Sequence, residues 1–305
     1  MIEVENLVKR YGSTAAVNGI SFRVQQGEIV GLLGPNGAGK TTTMRMLTGF
    51  MPPTEGTIRI CGFDVVEDSM SVRQRVGYMP ERVPVYPDMT VEGYLSFWAR
   101  LRGVRRVRQR VHNVLEQFQL LDRRRQLVRF LSKGLRQRLG LAQALVHEPP
   151  VIILDEPTIG IDPRQVIEVR EAVRNLRTGH AVLFSSHILS EVEQVCDRVI
   201  IIHHGRIVGE GTPEILSRQL ANRHQIFLVV EGSNDARITS ILKAAPGVLQ
   251  VRAMDDGFLI TTQSQEDLRP ALSRFITREG LIIVEMRPVD ASLEDVFLTL
   301  TSTKP

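Results

Sequence analysis

The chain has 305 residues, of which 43% are hydrophobic, and it carries a formal net charge of +4 with only two cysteines. This length suits two domains, the composition is typical of globular proteins, and the few cysteines argue against a disulfide framework and favour a reduced, cytosolic setting. No apolar stretch of about 18 residues is free of charges, and the first residues lack signal-peptide features, so neither a membrane-spanning helix nor a signal peptide is expected.

The segment from Ile2 to Leu33 is predicted to form short β-strands. Apolar and polar residues alternate between Ile2 and Leu33, which is typical of strands with one buried face. Tyr11 falls on one of the predicted turns. The expected breaks in the pattern are glycines, at Gly12, Gly19 and Gly27.

A glycine-rich loop follows the apolar segment 28–33 and precedes a helical segment from Thr41 to Leu47. In the pattern G-x-x-x-x-G-K-[ST], glycines let backbone N–H groups converge on phosphate oxygens, and the helix N-terminus adds positive charge. Lys40 can reach the outer phosphates, and Thr41 can offer its hydroxyl to Mg²⁺. The alternative is a glycine-rich turn that binds nothing. The residues predicted to bind phosphate are Gly34, Pro35, Asn36, Gly37, Ala38, Gly39, Lys40, Thr41 and Thr42.

Strands are predicted at 58–60 and 76–78, and a helical region is predicted from Thr90 to about Leu127. Trp98 lies at helical spacing from other apolar residues of this region, so we expect it in the core. Arginines cluster at positions 100–110 and 123–125. They indicate a solvated helical face or, alternatively, contact with an anionic leaflet or a membrane subunit. Nucleic acid is a third interpretation, disfavoured because aromatic side chains are not interleaved with the arginines.

The next predicted helix begins at Ser132, whose side chain suits an N-cap. Its apolar stripe contains Leu135, Leu139, Ala142 and either Leu145 or Val146. The helix dipole at Ser132 would favour an anion. The alternative interpretation is an ordinary capped helix without a ligand.

Continuous apolar runs at 151–154 and 181–184 predict strands buried on both faces of a parallel sheet. Asp155 and Glu156 follow the first strand, and His187 follows the second. Because ligands of open α/β sheets bind beyond the carboxyl ends of strands, we expect both carboxylates to lie where the phosphate loop also opens. Asp155 suits Mg²⁺ and Glu156 suits general-base activation of water, whereas a lone histidine at the place of His187 is more often structural. The alternative is an acidic turn with a structural histidine.

Residues 198–208 predict a hairpin in which His203 and His204 are turn residues rather than metal ligands. After a linker at Leu220–Arg223 the pattern restarts as β-α-β-β-α-β, which predicts a small ferredoxin-like α+β domain. A final helix is predicted to start at Ser292. The domain is interpreted either as a dimer-stabilising appendage or as a regulatory, partner-binding module. The predicted strands lie at 225–230, 248–254, 257–262 and 281–286, and the predicted helices at 236–244 and 265–277.

Taken together, these motifs resemble those of ATP-binding cassette (ABC) ATPases, in the family's order, over residues 1 to about 220. Tyr11 occupies the place of the aromatic that stacks on adenine, and its position shortly before the phosphate loop favours stacking over the alternative of a plain core residue. The segment 131–138, with Ser132 and Gly134, is similar to the family's signature motif. The segment 158–163, with Asp162, is similar to the dimer-contact loop, and His187 to the switch histidine.

The resemblance implies a fold class and a domain plan. The fold is an α/β ABC-type P-loop NTPase with an antiparallel β subdomain and a helical subdomain, followed by a ferredoxin-like α+β domain. Residues 1–220 would form the ATP-binding domain, with its helical subdomain at about 90–145, and residues 225–305 would form the accessory domain.

The resemblance also implies activity, cofactors and partners. The chain would hydrolyse ATP with Mg²⁺ as an exporter subunit, on the cytoplasmic side of the cell membrane, where it is peripheral. Lys40, Glu156 and His187 would be catalytic; Thr41, Asp155 and Glu81 would hold the metal. A second copy would bind head to tail, so that ATP contacts Gly34–Thr42 of one chain and Ser132 and Gly134 of the other, with Tyr11, Glu81 and Asp162 also binding ATP. A separate integral membrane permease would receive the motion.

Three positions depart from the family pattern. Glu81 replaces the usual glutamine and can still bind a cation, but when ionised it cannot donate a hydrogen bond. Lys133 replaces the first signature glycine, and Leu135 replaces the usual glutamine. Ser-Lys-Gly signatures are similar to those of single-cassette exporters with separate membrane subunits.

Two rival functions follow from the same residues. One is a soluble ABC ATPase that acts on nucleic acid or ribosomes. Such proteins often have two cassettes or a long coiled-coil insertion, and this sequence has neither, which argues against that rival. The other is an interaction protein that binds ATP without turnover. The presence of Lys40, Asp155, Glu156 and His187 argues against that rival.

Overall fold

The computed structural model describes residues 1–220, 225–231, 236–254, 256–262 and 267–289. The chain forms two compact units, Met1–Glu210 and Gly211–Pro305. This division lies ten residues before the boundary that the sequence predicts near residue 220, so a helix that begins at Pro213 falls in the second unit. None of the described helices combines the length and the hydropathy needed to cross a bilayer.

In chain order, the elements of the first unit are β1 (Ile2–Tyr11), β2 (Thr14–Val24), β3 (Ile29–Leu33), α1 (Lys40–Leu47), β4 (Glu55–Ile60), β5 (Phe63–Asp64), α2 (Ser69–Arg75), β6 (Val76–Met79), α3 (Val91–Leu101), α4 (Val107–Gln117), α5 (Lys133–Leu145), β7 (Val151–Asp155), α6 (Pro163–Asn175), β8 (Ala181–Ser186), α7 (Leu189–Val195), β9 (Arg198–His203) and β10 (Arg206–Gly211). Short 3₁₀ turns at Leu121–Arg123 and Val128–Phe130 lie between α4 and α5.

An antiparallel sheet with the strand order β2-β1-β4-β5 confirms the predicted β subdomain. Strand β2 is longer than the short strands that the sequence predicts, because Gly19 does not break it. The pairing passes from Leu7 opposite Ile20 to Val8 opposite Asn18, so Gly19 lies in an irregularity of the register. Its φ of 72° is the left-handed conformation that glycine adopts without strain, as expected at a β-bulge.

The central sheet has the strand order β10-β9-β3-β8-β7-β6, and β3, β8, β7 and β6 pair in parallel. Every residue of β3, β7 and β8 is buried. The predicted two-sided burial of the segments 151–154 and 181–184 is therefore confirmed. Such burial explains the continuous apolar runs, since both faces of the strands contact other layers.

The region from Thr90 to Leu127 is not a single helix, as a uniform helical pattern would suggest. It forms α3 and α4, separated by a turn at Gly103 (φ 72°), and then a 3₁₀ turn. The Thr90 hydroxyl caps α3 by accepting a hydrogen bond from Gly93 N at 3.1 Å. Trp98 is only partly buried, with its ring centroid 6.3 Å from that of Tyr94, so it lines a wall rather than filling the core.

The described part of the second unit confirms the predicted β-α-β-β-α-β order. Its sheet has the strand order β12-β13-β11-β14 with antiparallel pairing throughout, around a core that includes Leu228, Phe258 and Ile260. This is the ferredoxin-like arrangement. The helix predicted at Ser292 lies outside the described residues. The elements are α8 (Pro213–Leu220), β11 (Gln225–Val230), α9 (Ala236–Lys243), β12 (Val248–Met254), β13 (Gly257–Thr262), α10 (Arg269–Arg278) and β14 (Ile283–Val289).

Candidate functional site

Three neighbouring parallel strands bring the predicted site residues to one edge of the central sheet. Leu33, the last residue of β3, is opposite Ser186 of β8, and Asp155, the last residue of β7, is opposite Ser185. The phosphate loop, Glu156 and His187 therefore all follow strands that end side by side. This edge is where ligands bind in open α/β sheets.

The phosphate loop ends at a glycine that no other residue can replace without strain. Gly39 has a φ of 109°, and a Cβ atom there would lie 2.5 Å from the Ala16 carbonyl oxygen. Helix α1 begins at the next residue, Lys40, with no acidic side chain in its first turn. The free N–H groups of that turn thus keep the positive end of the helix open to an anion.

Lys40, Glu156 and His187 are in direct contact. Lys40 Nζ donates to the Gly34 carbonyl oxygen at 2.7 Å and lies 3.3 Å from Glu156 Oε1. His187 Nδ1 lies 2.7 Å from Glu156 Oε2. Lys40 and Glu156 are both buried, with 5% of each residue exposed. The carboxylate of Glu156 is therefore held from both sides, at a backbone φ of 49° that turns it out of the strand direction.

The Ser185 hydroxyl joins the Asp155 carboxylate to the backbone of Glu156. The Glu156 N–H donates to Ser185 Oγ at 2.9 Å, and Ser185 Oγ donates to Asp155 Oδ1 at 2.8 Å. The Thr41 hydroxyl lies 3.4 Å from the same Asp155 oxygen. The structure thus brings together Thr41 and Asp155, the first two of the three predicted metal-binding residues.

The donor set at Asp155 fits Mg²⁺. Asp155 Oδ2 is buried and accepts no hydrogen bond from any described residue, while the Thr41 hydroxyl lies beside Oδ1. The described residues contain no group of three or more His, Cys, Asp or Glu side chains that could form a protein-only cage. Mg²⁺ typically keeps several waters and binds one or two carboxylates plus substrate phosphates. The Asp155 carboxylate and the Thr41 hydroxyl could supply the protein's share of such a ligand set.

Burial raises the pKa of Asp155 above its ordinary value of 3.8, and the neighbouring carboxylates of Glu156 and Glu81 raise it further, while hydrogen bonds from Ser185 and Thr41 oppose the shift. A carboxyl group with a raised pKa in the folded state binds protons more tightly there than in the unfolded chain. The free energy of unfolding therefore falls as pH rises from the ordinary pKa of an aspartate to the raised pKa of Asp155.

The variant Asp155→Asn removes that cost, because the amide keeps the acceptor for Ser185 but carries no charge. Its free energy of unfolding should exceed that of the wild type by an amount on the order of 1 kcal/mol near neutral pH. The difference should shrink as pH falls towards the ordinary carboxyl pKa, because the raised pKa of Asp155 lets the folded wild type take up its proton before the unfolded chain does. Thermal unfolding without nucleotide or metal, at several pH values, measures it. The exposed Asp122→Asn serves as the control and should show no such trend; equal stability of Asp155→Asn and wild type at neutral pH would contradict the assignment.

Glu81 follows β6 and is exposed on a cavity of about 750 Å³ that Thr41 and Asp155 also line. The same cavity is lined by Trp98 and by Tyr78, whose pKa is raised above its ordinary range by burial and by the charge of Asp155. Its other lining residues are Arg45, Phe50, Pro80, Arg82, Pro84, Arg102 and Gln143. Glu81 therefore shares one open space with Thr41 and Asp155, the other two residues predicted to bind metal.

The signature segment begins α5 as predicted. Ser132 is the exposed N-cap, and its hydroxyl accepts a hydrogen bond from Leu135 N at 3.3 Å. Gly134 is covered by the side chain of Gln165, which a Cβ atom would strike, and the end of the Lys133 side chain lies where a Cβ of Gly160 would be. The signature helix thus contacts the segment that begins α6 in the same chain.

Asp162 and Tyr11 have local contacts. Asp162 Oδ1 caps α6 by accepting from Arg164 N at 3.0 Å and Gln165 N at 3.2 Å. Tyr11 ends β1 and is 51% exposed, so it is not the core residue that one interpretation assumes. Its hydroxyl lies 3.2 Å from Met51 Sδ, and Lys9 Nζ lies 5.8 Å from the ring centroid. An exposed ring remains free to stack on a flat ligand.

Two polar residues of the site have no predicted role. Ser185 links Asp155 to Glu156, and Glu191 of α7 is 1% exposed and accepts hydrogen bonds from Thr158 and Ser186. The sequence signal for Ser185 is its place two residues before His187. The signal for Glu191 is a carboxylate next to buried Val192 in a short helix, which by itself indicates only an amphipathic surface.

Comparisons with known proteins agree with this geometry. The family model described as ABC transporter matches residues 17–159. The linearmycin resistance ATP-binding protein LnrL of Bacillus subtilis strain 168 is 34% identical, over 99% of this chain and 98% of its own. The Nod factor export ATP-binding protein I of Burkholderia orbicola strain AU 1054 is 39% identical, over 98% of this chain and 96% of its own.

Solved structures agree as well. A structure described as the ATP-binding subunit of an ABC transporter is 32% identical, with a TM-score of 0.67, and covers 72% of this chain and 93% of its own. The dimeric cassette MJ0796 is 23% identical, with a TM-score of 0.65 over 70% of this chain and 98% of its own, and supports the fold alone. Full-length similarity above 30% identity, together with the converging phosphate loop and carboxylates, establishes the family. The chain belongs to the ABC transporter family, as one of its ATP-binding and ATP-hydrolysing subunits.

Proposed function

We propose that this chain powers an exporter, working on the cytoplasmic side of the cell membrane as a peripheral subunit bound to a separate integral membrane permease. Relatives of nearly the same length are named for Nod factor export, for linearmycin and daunorubicin resistance and for bacitracin transport. The observation that carries the proposal is the contact of Lys40 and His187 with Glu156, beside Asp155 at the edge of the central sheet. That arrangement is suited to hydrolysis of ATP, the reaction that would supply energy for export.

In the proposed reaction, Glu156 is the general base that takes a proton from the attacking water. His187, 2.7 Å from Glu156 Oε2, orients that carboxylate and contacts the γ-phosphate. Lys40 neutralises the outer phosphates once ATP draws its ammonium group away from Glu156. The backbone of Gly34–Thr42 holds the phosphates, and Tyr11 stacks on the adenine.

Thr41, Asp155 and Glu81 are the residues that would hold Mg²⁺. When bound, the ion would neutralise charge on the phosphate oxygens. Glu81 adds a carboxylate where the family usually has glutamine, so its contribution to the ion is electrostatic and it donates no hydrogen bond when ionised.

We propose that two copies bind head to tail. Ser132 and Lys133 are exposed at the positive end of α5, which suits a phosphate supplied by another chain. Ser132, Gly134 and Asp162 of one copy would complete the site formed by the phosphate loop of the other. The related fold of MJ0796 was solved as a dimer. ATP closes this dimer, and hydrolysis reopens it.

The proposed contact for the permease is the part of the cavity wall that carries Trp98, whereas Thr41 and Asp155 of the same cavity would hold Mg²⁺. The Trp98 wall continues into exposed aromatic rings, since Tyr86 and Phe97 are 46% and 36% exposed with ring centroids 5.5 Å apart. Movement of α3 and α4 would transmit closure of the dimer to the membrane. Residues 1–220 form the proposed ATP-binding domain, with the helical subdomain at about 90–145, and residues 225–305 the accessory domain.

Affinity purification from detergent-solubilised membranes tests the proposal. The tagged full-length chain should sediment with membranes and co-purify with an integral membrane protein, and ATP-dependent transport in reconstituted vesicles should require both.

A chain that ends at Arg223 should still bind ATP in a titration, because every predicted nucleotide residue precedes it, but should be recovered with less permease. Sedimentation with ribosomes instead of membranes would favour the soluble rival. A folded truncated chain unable to bind ATP would refute the domain plan.

A further inference from the structure

Glu191 is a buried carboxylate to which the proposed reaction assigns no task. It lies in α7 with 1% of its surface exposed. Its Oε2 accepts a hydrogen bond from the Thr158 hydroxyl at 2.7 Å and another from the Ser186 hydroxyl at 2.8 Å. One oxygen atom thus joins two loops that are separate in sequence.

Both loops lead directly to proposed catalytic side chains. Thr158 comes two residues after Glu156, and Ser186 comes immediately before His187. The Ser186 hydroxyl also accepts from Ile188 N at 2.9 Å, so it fixes the backbone on the far side of His187. Glu191 therefore connects the chain segments that carry the two members of the Glu156–His187 contact.

The second carboxylate oxygen of Glu191, Oε1, faces Arg170 of α6. Arg170 lies 3.8 Å from Glu191 Oε1, and the same guanidinium donates to Gln194 Oε1 at 2.8 Å. The Arg170 side chain is 16% exposed, so this pair is largely withdrawn from water. A buried carboxylate with two hydroxyl donors and a nearby cation is compensated, and it fixes geometry at the cost of desolvation.

We propose that Glu191 is a positioning residue for ATP hydrolysis, which keeps Glu156 and His187 in contact by tying Thr158 to Ser186. The inference rests on the proposed function, because it takes Glu156 as the base and His187 as its partner. Glu191 touches neither ATP nor water in this role. Its loss should therefore reduce turnover by misplacing the base, while nucleotide binding through the phosphate loop is unaffected.

An isosteric pair of variants tests the proposal in the full-length chain. Glu191→Gln keeps an acceptor for both hydroxyls, whereas Glu191→Met keeps the volume but accepts no strong hydrogen bond. We expect kcat for ATP to fall about 10- to 100-fold in Glu191→Met, with KM and the affinity for a fluorescent ATP analogue within about twofold. Glu191→Gln should stay within about threefold of the wild type.

The neighbouring Val192→Ala is the matched control. Val192 is fully buried and packs where a Cβ of Gly31 would be, so its truncation weakens the attachment of α7 to β3 without touching Thr158 or Ser186. We expect a lower thermal midpoint with unchanged kcat at a temperature where the variant is folded. A fall in kcat that follows thermal stability equally in all three variants would assign Glu191 a purely structural role and overturn the proposal.

A double-mutant cycle supplies the second readout. Thr158→Val should lower kcat by part of the Glu191→Met effect, and adding Thr158→Val to Glu191→Met should cause almost no further loss, because the same hydrogen bond is already absent. Wild-type kcat in folded Glu191→Met, or full additivity in the cycle, would overturn the inference. Glu156→Gln is measured beside these variants. If it retains turnover, the proposed base is wrong; if it loses turnover while Glu191→Met does not, only the role of Glu191 is refuted.

Discussion

Glu156→Gln will lower ATP turnover by about 10²- to 10⁴-fold, because the amide cannot take a proton from the attacking water. The side chain keeps its size and its place between Lys40 and His187, which lie 3.3 Å and 2.7 Å from the two carboxylate oxygens. ATP binding should persist, and the variant should accumulate as an ATP-bound dimer. Phosphate release measures turnover, and size-exclusion chromatography with ATP measures the dimer.

The control for this prediction is the exposed Glu171→Gln, which makes the same chemical change on α6. It should turn over ATP at the wild-type rate and should not accumulate as a dimer. Near-full turnover by Glu156→Gln would show that another group activates the water, and the assignment of Glu156 would then be wrong.

Mixing two inactive variants should restore activity if the site is shared between chains. Ser132→Arg removes the N-cap of α5 and fills the space that the partner's phosphate would occupy, so it should block the partner's site. Lys40→Ala should disable the phosphate loop of its own chain. In a heterodimer one composite site keeps both wild-type halves, whereas the other combines both lesions. With random mixing and independent sites, we expect about a quarter of the wild-type rate.

Differently tagged variants allow the heterodimer to be purified, so that its formation is verified before activity is measured. Hydrolysis by that heterodimer is measured in a single turnover, because coupling between the two sites could suppress the steady-state rate even when one site is intact. Each variant alone should give almost no hydrolysis, and mixing two preparations of Ser132→Arg is the matched control. Purified heterodimers without single-turnover hydrolysis would contradict the head-to-tail arrangement.

The parts of the site that depend on local chain geometry could be predicted from the sequence. The strand before Gly34, the turn glycines and the helix from Lys40 are neighbours along the chain, so their pattern specifies the loop directly. Asp155 could be predicted in the same way, because a continuous apolar run before a carboxylate indicates the end of a buried strand. The ferredoxin-like order also followed from the alternation of short periodic segments.

Features set by tertiary packing could not be predicted. Whether Glu191 faces solvent or the hydroxyls of Thr158 and Ser186 depends on how α7 packs against segments distant in sequence, and a charged residue on a short helix indicates an exposed face by default. The predicted break at Gly19 is wrong for a similar reason, because a glycine in a strand pattern fits a turn or a bulge equally well. Only the pairing partners of β2 distinguish the two.

The contacts of Lys133 with Gly160 and of Gln165 with Gly134 bear on cooperativity. In the proposed dimer, Ser132–Gly134 would face the nucleotide held by the partner, whereas the segment from Gly160 leads back within a few residues to Glu156, which would act on the chain's own nucleotide. A shift caused by one ATP would therefore reach the base that cleaves the other through packed side chains of a single polypeptide. A sigmoidal dependence of rate on ATP concentration would then originate inside each subunit as much as across the boundary between them.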